Sequence, residues 1–389
     1  MYTLEGLNNL ESIGGDLYIN WNMGLQSLSG LNSLAIIEES CEISLNPNLN
    51  TLDGLGSLTT IGAYFTIVEV SGITNLMGLS SLYSVGGNFN IASNQNLISL
   101  EGLISQRIIY GSLYVGDNPN LISLNGLDKI HTISGDLYIS ENPSLESIDM
   151  LHLLNDIGGK VSIYWNDNIT NLIGLENIQE INGDLTIKYN DNLSDLSGLE
   201  NLISIDGDLD ISTNSSLISI EEMMNLTSIS GDLDIINNDQ LVSLTGLNNI
   251  ASNSIENLTI YYNELLSECH VESICNYIAS PNGVTEIQYN AMGCENLEQV
   301  SLSCFSLLDD ASKTAEIFAF PNPILHELYL SELVNQDIKS IFVYDLLGQT
   351  VFSTNEYLEK INLSRLSEGM YLIQVNTSDS KLEQVFIKE

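Results

Sequence analysis

The sequence predicts a mainly β protein: a leucine-rich β-solenoid of 24-residue coils followed by a small Ig-like β-sandwich. Three observations carry this. A glycine slot recurs at Gly15, Gly87, Gly111, Gly135, Gly159, Gly183, Gly207 and Gly231, each a multiple of 24 residues from the others. A period of this length marks a solenoid, whose coils bury their apolar faces only by stacking. After each glycine, apolar residues alternate with polar ones as in a strand with one buried face. The chain end, residues 316–389, holds several short alternating segments at the spacing of a β-sandwich.

Within a coil the slots are distinct. Glu39 and Ala63 keep the spacing where glycine is absent. Two residues after the glycine stand Leu17, Cys41, Phe65, Phe89, Leu113, Leu137, Val161, Leu185, Leu209 and Leu233, and two further on an isoleucine file from Ile19 to Ile235, with Val115 as its variant. Three residues later comes asparagine: Asn22, Asn46, Asn94, Asn118, Asn142, Asn166, Asn190, Asn214 and Asn238, then Asn263 one residue out of register. Val70 breaks that file. A stacked internal asparagine is expected to donate to its own turn and accept from the next coil, serving backbone groups that a tight corner leaves bare. The remaining apolar slots fall every three residues, as at Leu145, Ile148, Leu151, Leu154 and Ile157, which fits short extended segments joined by bends. Cys41 reads as a buried thiol. Gln106, in a leucine slot, marks the weakest coil.

Charge bounds the partners. The formal net charge is -41, and residues 1–310 carry only Arg107, Lys129, Lys160 and Lys188 as bases. Phosphate binding needs clustered Lys and Arg, so nucleic acid is excluded as a partner. No apolar run reaches the roughly 18–20 residues that span a bilayer. Met1 is followed by half a coil, without a signal peptide. The sequence therefore leads one to expect a longer precursor.

The solenoid is expected over residues 1–265, where the register dissolves. A Cys-rich cap follows over 266–306, with Cys269, Cys275, Cys294 and Cys304. Their spacing lacks the paired knuckles of a zinc site, and in an exported protein two disulfides are the better reading, with no connectivity assigned. A short helix is expected over 271–278, crossing the open end of the array, and a polar linker over 307–315.

The motif Leu-x-Ile-x-x-Asn-x-x-Leu-x-x-Leu, preceded by Gly-Asp-Leu, resembles the leucine-rich receptor L domain. That resemblance implies a right-handed solenoid and, since such domains bind diverse partners, no particular ligand. The chain end closely resembles the C-terminal sorting domain of the type IX secretion system of Bacteroidetes-type bacteria. The matching residues are Phe320-Pro321-Asn322-Pro323, Val343-Tyr-Asp345 with Gly348, Leu366 with Gly369-Met-Tyr371, and the closing Ile387-Lys388. The resemblance implies handling by the type IX machinery and delivery to the outer cell surface or the medium, usually with removal of the domain.

The histidines His131, His152, His270 and His326 form no motif with a nucleophile, and the basic partners used by β-helical lyases are scarce. The expected role is therefore non-enzymatic: adhesion or recognition of a protein or glycan, with a passive spacer in a larger surface protein as the alternative. Tyr18, Trp21, Tyr114, Tyr138, Tyr164, Trp165, Tyr189, Tyr261 and Tyr262 are expected at outward positions on the Asn-side strand. Of these, Tyr138, Tyr164, Trp165 and Tyr189 are the candidate ligand residues, since aligned aromatics stack on sugars or anchor a partner. The plainer reading is that aromatics suit exposed sheet. Asp208, Asp210, Asp232 and Asp234 crowd two adjacent coils. Screening or raised pKa values would accommodate them, and weak calcium binding is the sharper expectation; no other cofactor is expected.

Overall fold

The computed structural model describes residues 2–310, 319–320, 324–330, 338–345, 349–356, 358, 360–377 and 381–388. It divides into two compact units, residues 1–301 and 302–389.

In the first unit each coil contributes a four-residue strand to one parallel sheet of twelve strands, running from Leu17–Asn20 to Thr285–Gln288. The pairing is in register at the repeat length, so Leu137 stands opposite Val161, and Ile139 opposite Ile163. Like side chains therefore stack on like, and the Leu and Ile files are buried from Cys41 onward. A second set of two-residue strands, such as Thr132–Ile133 and Asp156–Ile157, also pairs in parallel. The remaining stretch of the coil bends through short 3-10 turns, among them Asp149–Leu151 and Thr245–Leu247.

The corner after each main strand is the tightest place in the fold. Twelve non-glycine residues, from Trp21 to Tyr289, hold φ between 50° and 60°, and each immediately precedes a member of the asparagine file or its Val70 substitute. The left-handed conformation costs an L-residue roughly 1–2 kcal/mol. The buried amide one residue on holds it there. Asn166 Nδ2 donates to the carbonyl of Ile139 in the preceding coil (2.8 Å) and to Tyr164 in its own turn (3.0 Å). Its Oδ1 accepts the backbone N–H of Asn142 at 3.3 Å, so acceptance runs from the preceding coil rather than the next. Val70 offers neither group, but its N–H donates to Asn94 Oδ1 and the ladder resumes.

A second ladder lies at the corner before the strand. Asp136, Asp184, Asp208 and Asp232 each accept, through Oδ1, a backbone N–H of the following coil. This explains the glycine slot: a Cβ at Gly231 would collide with Asp208 Oδ1. Gln106 is buried, with Nε2 donating to the Leu82 carbonyl at 3.3 Å and Oε1 left without a partner.

The solenoid does not end at 265. Asn263 donates its N–H to Asn290 Oδ1 (3.0 Å), and Asn290 Nδ2 reaches the Ile260 carbonyl (3.0 Å). One more coil therefore stacks on, lengthened to carry the helix Glu272–Ala279. Cys269 and Cys294 are joined across this coil, with Cα atoms 5.7 Å apart, and Cys275 and Cys304 are also disulfide-bonded. A second helix, Leu297–Asp310, occupies the start of the expected linker. Cys41 is the one free cysteine, and burial pushes its thiol up to about 12.

In the second unit a three-stranded sheet (Ala319–Phe320, Glu327–Leu330, Lys360–Asn362) and a four-stranded antiparallel sheet (Thr350–Thr354, Ser340–Tyr344, Gly369–Asn376, Lys381–Lys388) share one core. Leu328 and Ile361 from the first meet Ile341, Ile373 and Phe386 from the second.

Asn166→Ala removes the five hydrogen bonds of this side chain and strands their partners, which predicts a loss of roughly 3–5 kcal/mol in denaturant unfolding. Exposed Asn125→Ala should change stability little, and equal midpoints for the two variants would contradict the ladder's role. Peptide mapping of oxidised protein should recover Cys269 linked to Cys294. Without reductant, only Cys41 should become alkylatable, and only after unfolding.

Candidate functional site

The outward face of the twelve-stranded sheet carries the candidate site. Because every side chain there is repeated at strand spacing, rings in neighbouring coils are brought within contact distance. Tyr114 and Tyr138 have ring centroids 6.0 Å apart; Trp165 lies 5.5 Å from Tyr164 and 5.3 Å from Tyr189. Ser140, paired in register with Tyr164, donates its hydroxyl to Tyr114 Oη at 3.3 Å and links the two groups. Four adjacent strands thus bear one patch, about 14 Å across at the usual strand separation. Trp165 and Tyr189 are 46% and 42% exposed even so. Both stand at left-handed corner positions, so the ladder beneath them sets the direction in which they leave the backbone.

Two of the four solenoid bases border this patch. Lys160 Nζ sits 5.4 Å from the Tyr138 ring centroid, in cation–π range. Lys188 stands beside Tyr164 in the adjoining strand and forms an ion pair with Asp210. Tyr18 lies apart from the patch, its hydroxyl 3.0 Å from that of Tyr64. Tyr261 and Tyr262 form a further group with Tyr289, a residue hidden in sequence by the longer last coil.

The four aspartates expected to share calcium are engaged separately. Asp208 and Asp232 each spend Oδ1 on the corner ladder. Asp210 is held by Lys188 and by the Ser212 hydroxyl. Among the described residues no group of three or more His, Cys, Asp or Glu side chains is placed to hold a metal ion. His131 and His152 each turn Nδ1 to a nearby backbone carbonyl, of Lys129 and Asp149. Of the sorting-motif residues, Gly369 and Lys388 face each other across an antiparallel pair; Pro321, Asn322, Pro323 and Gly348 lie outside the described residues.

Asp234 remains strained. Burial holds its carboxyl above the usual aspartate range; the Thr259 hydroxyl opposes this, and the charges of Asp210 and Asp232 add to it. A carboxyl whose folded pKa is raised costs stability once the pH passes its unfolded value, and the full cost is reached above the folded one. Asp234→Asn should therefore raise the melting temperature near pH 7. The gain should vanish at about pH 3, where the aspartate is mostly protonated in both states. Calorimetry at the two pH values decides it, and a variant no more stable at pH 7 would refute the assignment.

Comparison with known families agrees with this architecture. Residues 155–235 match the Receptor L domain, and residues 318–389 match the Secretion system C-terminal sorting domain. No curated protein matches the sequence. No described helix is long and apolar enough to cross a membrane. The chain thus carries a receptor L domain match within its β-solenoid and, at residues 318–389, a type IX secretion sorting domain that marks it for export to the outer cell surface or the medium.

Proposed function

We propose that the protein is a non-enzymatic recognition or adhesion protein that binds a protein or glycan through the aromatic patch of Tyr138, Tyr164, Trp165 and Tyr189. The observation that carries this is the two groups of ring contacts borne by four adjacent coils, with Trp165 and Tyr189 exposed. Exposed rings on a rigid sheet offer apolar area at little entropic cost, which suits sugar stacking or an interface anchor. Lys160 and the ion-paired Lys188 border this region in a solenoid otherwise dominated by acids. The corner ladder pre-organises the patch, so binding need not order the site. Export to the surface places it where an extracellular partner is met.

The test uses Tyr164→Ser/Trp165→Asn, side chains already present in the same slots at Ser140 and Asn237. Glycan-array and surface-extract binding should fall at least tenfold, as expected when two anchoring aromatics are lost, with the melting temperature unchanged. Undiminished binding removes this face as the site, and a complete absence of binding by the wild type favours a passive spacer.

A further inference from the structure

A separate site lies at the far end of the same sheet. The last coil forms an open cleft of about 960 Å³, lined by Tyr262, Tyr289, Gln288, Glu264, Glu295 and Glu298 among others. Tyr262 and Tyr289 stack with centroids 4.9 Å apart and planes 15° from parallel, and Tyr261 meets both edge-on. The stacked pair is 47% and 55% exposed. The opposite rim is fixed: Cys294 is tied to Cys269, Asn290 Nδ2 donates to the Cys294 carbonyl, and Gln299 Nε2 donates to Glu295 Oε2. The cleft is therefore built rather than induced.

Its chemistry is that of a cation site. Ring faces attract cations through their quadrupoles, and carboxylates add charge. No base neutralises these glutamates from within the sheet: Lys188, the last base before them, is four strands away, about 19 Å at the usual spacing. We infer that this cleft binds a cationic side chain, arginine above lysine, presented by a segment of a protein partner. The preference follows from the planar guanidinium, which stacks on a tyrosine face while its edge donates to carboxylates. This site is independent of the aromatic patch proposed above.

The probe is a short acetylated Gly-Arg-Gly-Arg-Gly amide, titrated calorimetrically into the full chain at physiological ionic strength. The neutral citrulline analogue serves as its control. Tyr262→Asn/Tyr289→Asn keeps the net charge and uses the residue that already occupies this slot at Asn237, so it separates a ring-dependent site from diffuse attraction to an acidic protein. Affinity for the arginine peptide is expected to fall roughly 5- to 30-fold in that variant, and likewise in Glu295→Gln/Glu298→Gln. Tyr164→Ser/Trp165→Asn should leave it unchanged. Equal affinity in wild type and the tyrosine variant, equal binding of the citrulline peptide, or tyrosine-dependent binding of a neutral oligosaccharide in its place would each overturn the inference. If the tyrosine variant fails to fold, the glutamate variant decides alone.

Discussion

The buried asparagine amide is the interaction on which the rest of this structure depends. A parallel solenoid must reverse direction in every coil, and here each main strand ends at a non-glycine residue in the left-handed region. Such a corner is unfavourable in isolation. At every corner but those of Trp21 and Glu69 it persists because the next side chain is a buried amide that donates to the coil before it. Backbone polarity, coil-to-coil spacing and the exit direction of the corner side chains are set together. The aromatic patch is a product of this: Trp165 and Tyr189 stand where they do because Asn166 and Asn190 lie beneath them.

Acidity in the solenoid has two origins that the charge total conceals. Part of it is architectural, since the aspartates of the Gly-Asp-Leu corner serve as acceptors for amides in the following coil. Those carboxylates gain charge-assisted hydrogen bonds, which are stronger than neutral ones. Another part lies on the open sheet, where Asp210 has Lys188 as an ion-pair partner and Asp234 is opposed mainly by its burial. Counting acids in a coil therefore says little about what they do; the slot decides.

Much of the fold was legible because a strict period converts sequence spacing into strand register. The Leu, Ile and Asn files read as columns and stack as columns. What escaped was whatever departs from the period. The last coil is 27 residues from Asn263 to Asn290, with a helix inserted and Thr285 in a leucine slot, so its only trace was Ile287-x-x-Asn290. The helix at Leu297–Asp310 was signalled by Leu297, Val300 and Cys304 at helical spacing, obscured by the polar residues around them. At the candidate site, the rings were legible one by one, but the Lys188–Asp210 pair was not. Those residues occupy different slots on neighbouring strands and meet diagonally, a relation invisible when only equivalent positions are compared.

The corner position has a wider consequence. Its backbone is set by a neighbour's amide, and its own side chain ranges from the hydroxymethyl of Ser93 to the indole of Trp165 with φ almost unchanged. Scaffold and occupant are thus decoupled at twelve points along one row. Substitution at any of them rewrites the displayed chemistry without renegotiating the core, and duplication of a coil adds a further point at the same pitch. A lineage carrying this array could follow a drifting partner one corner at a time, with each intermediate still folded.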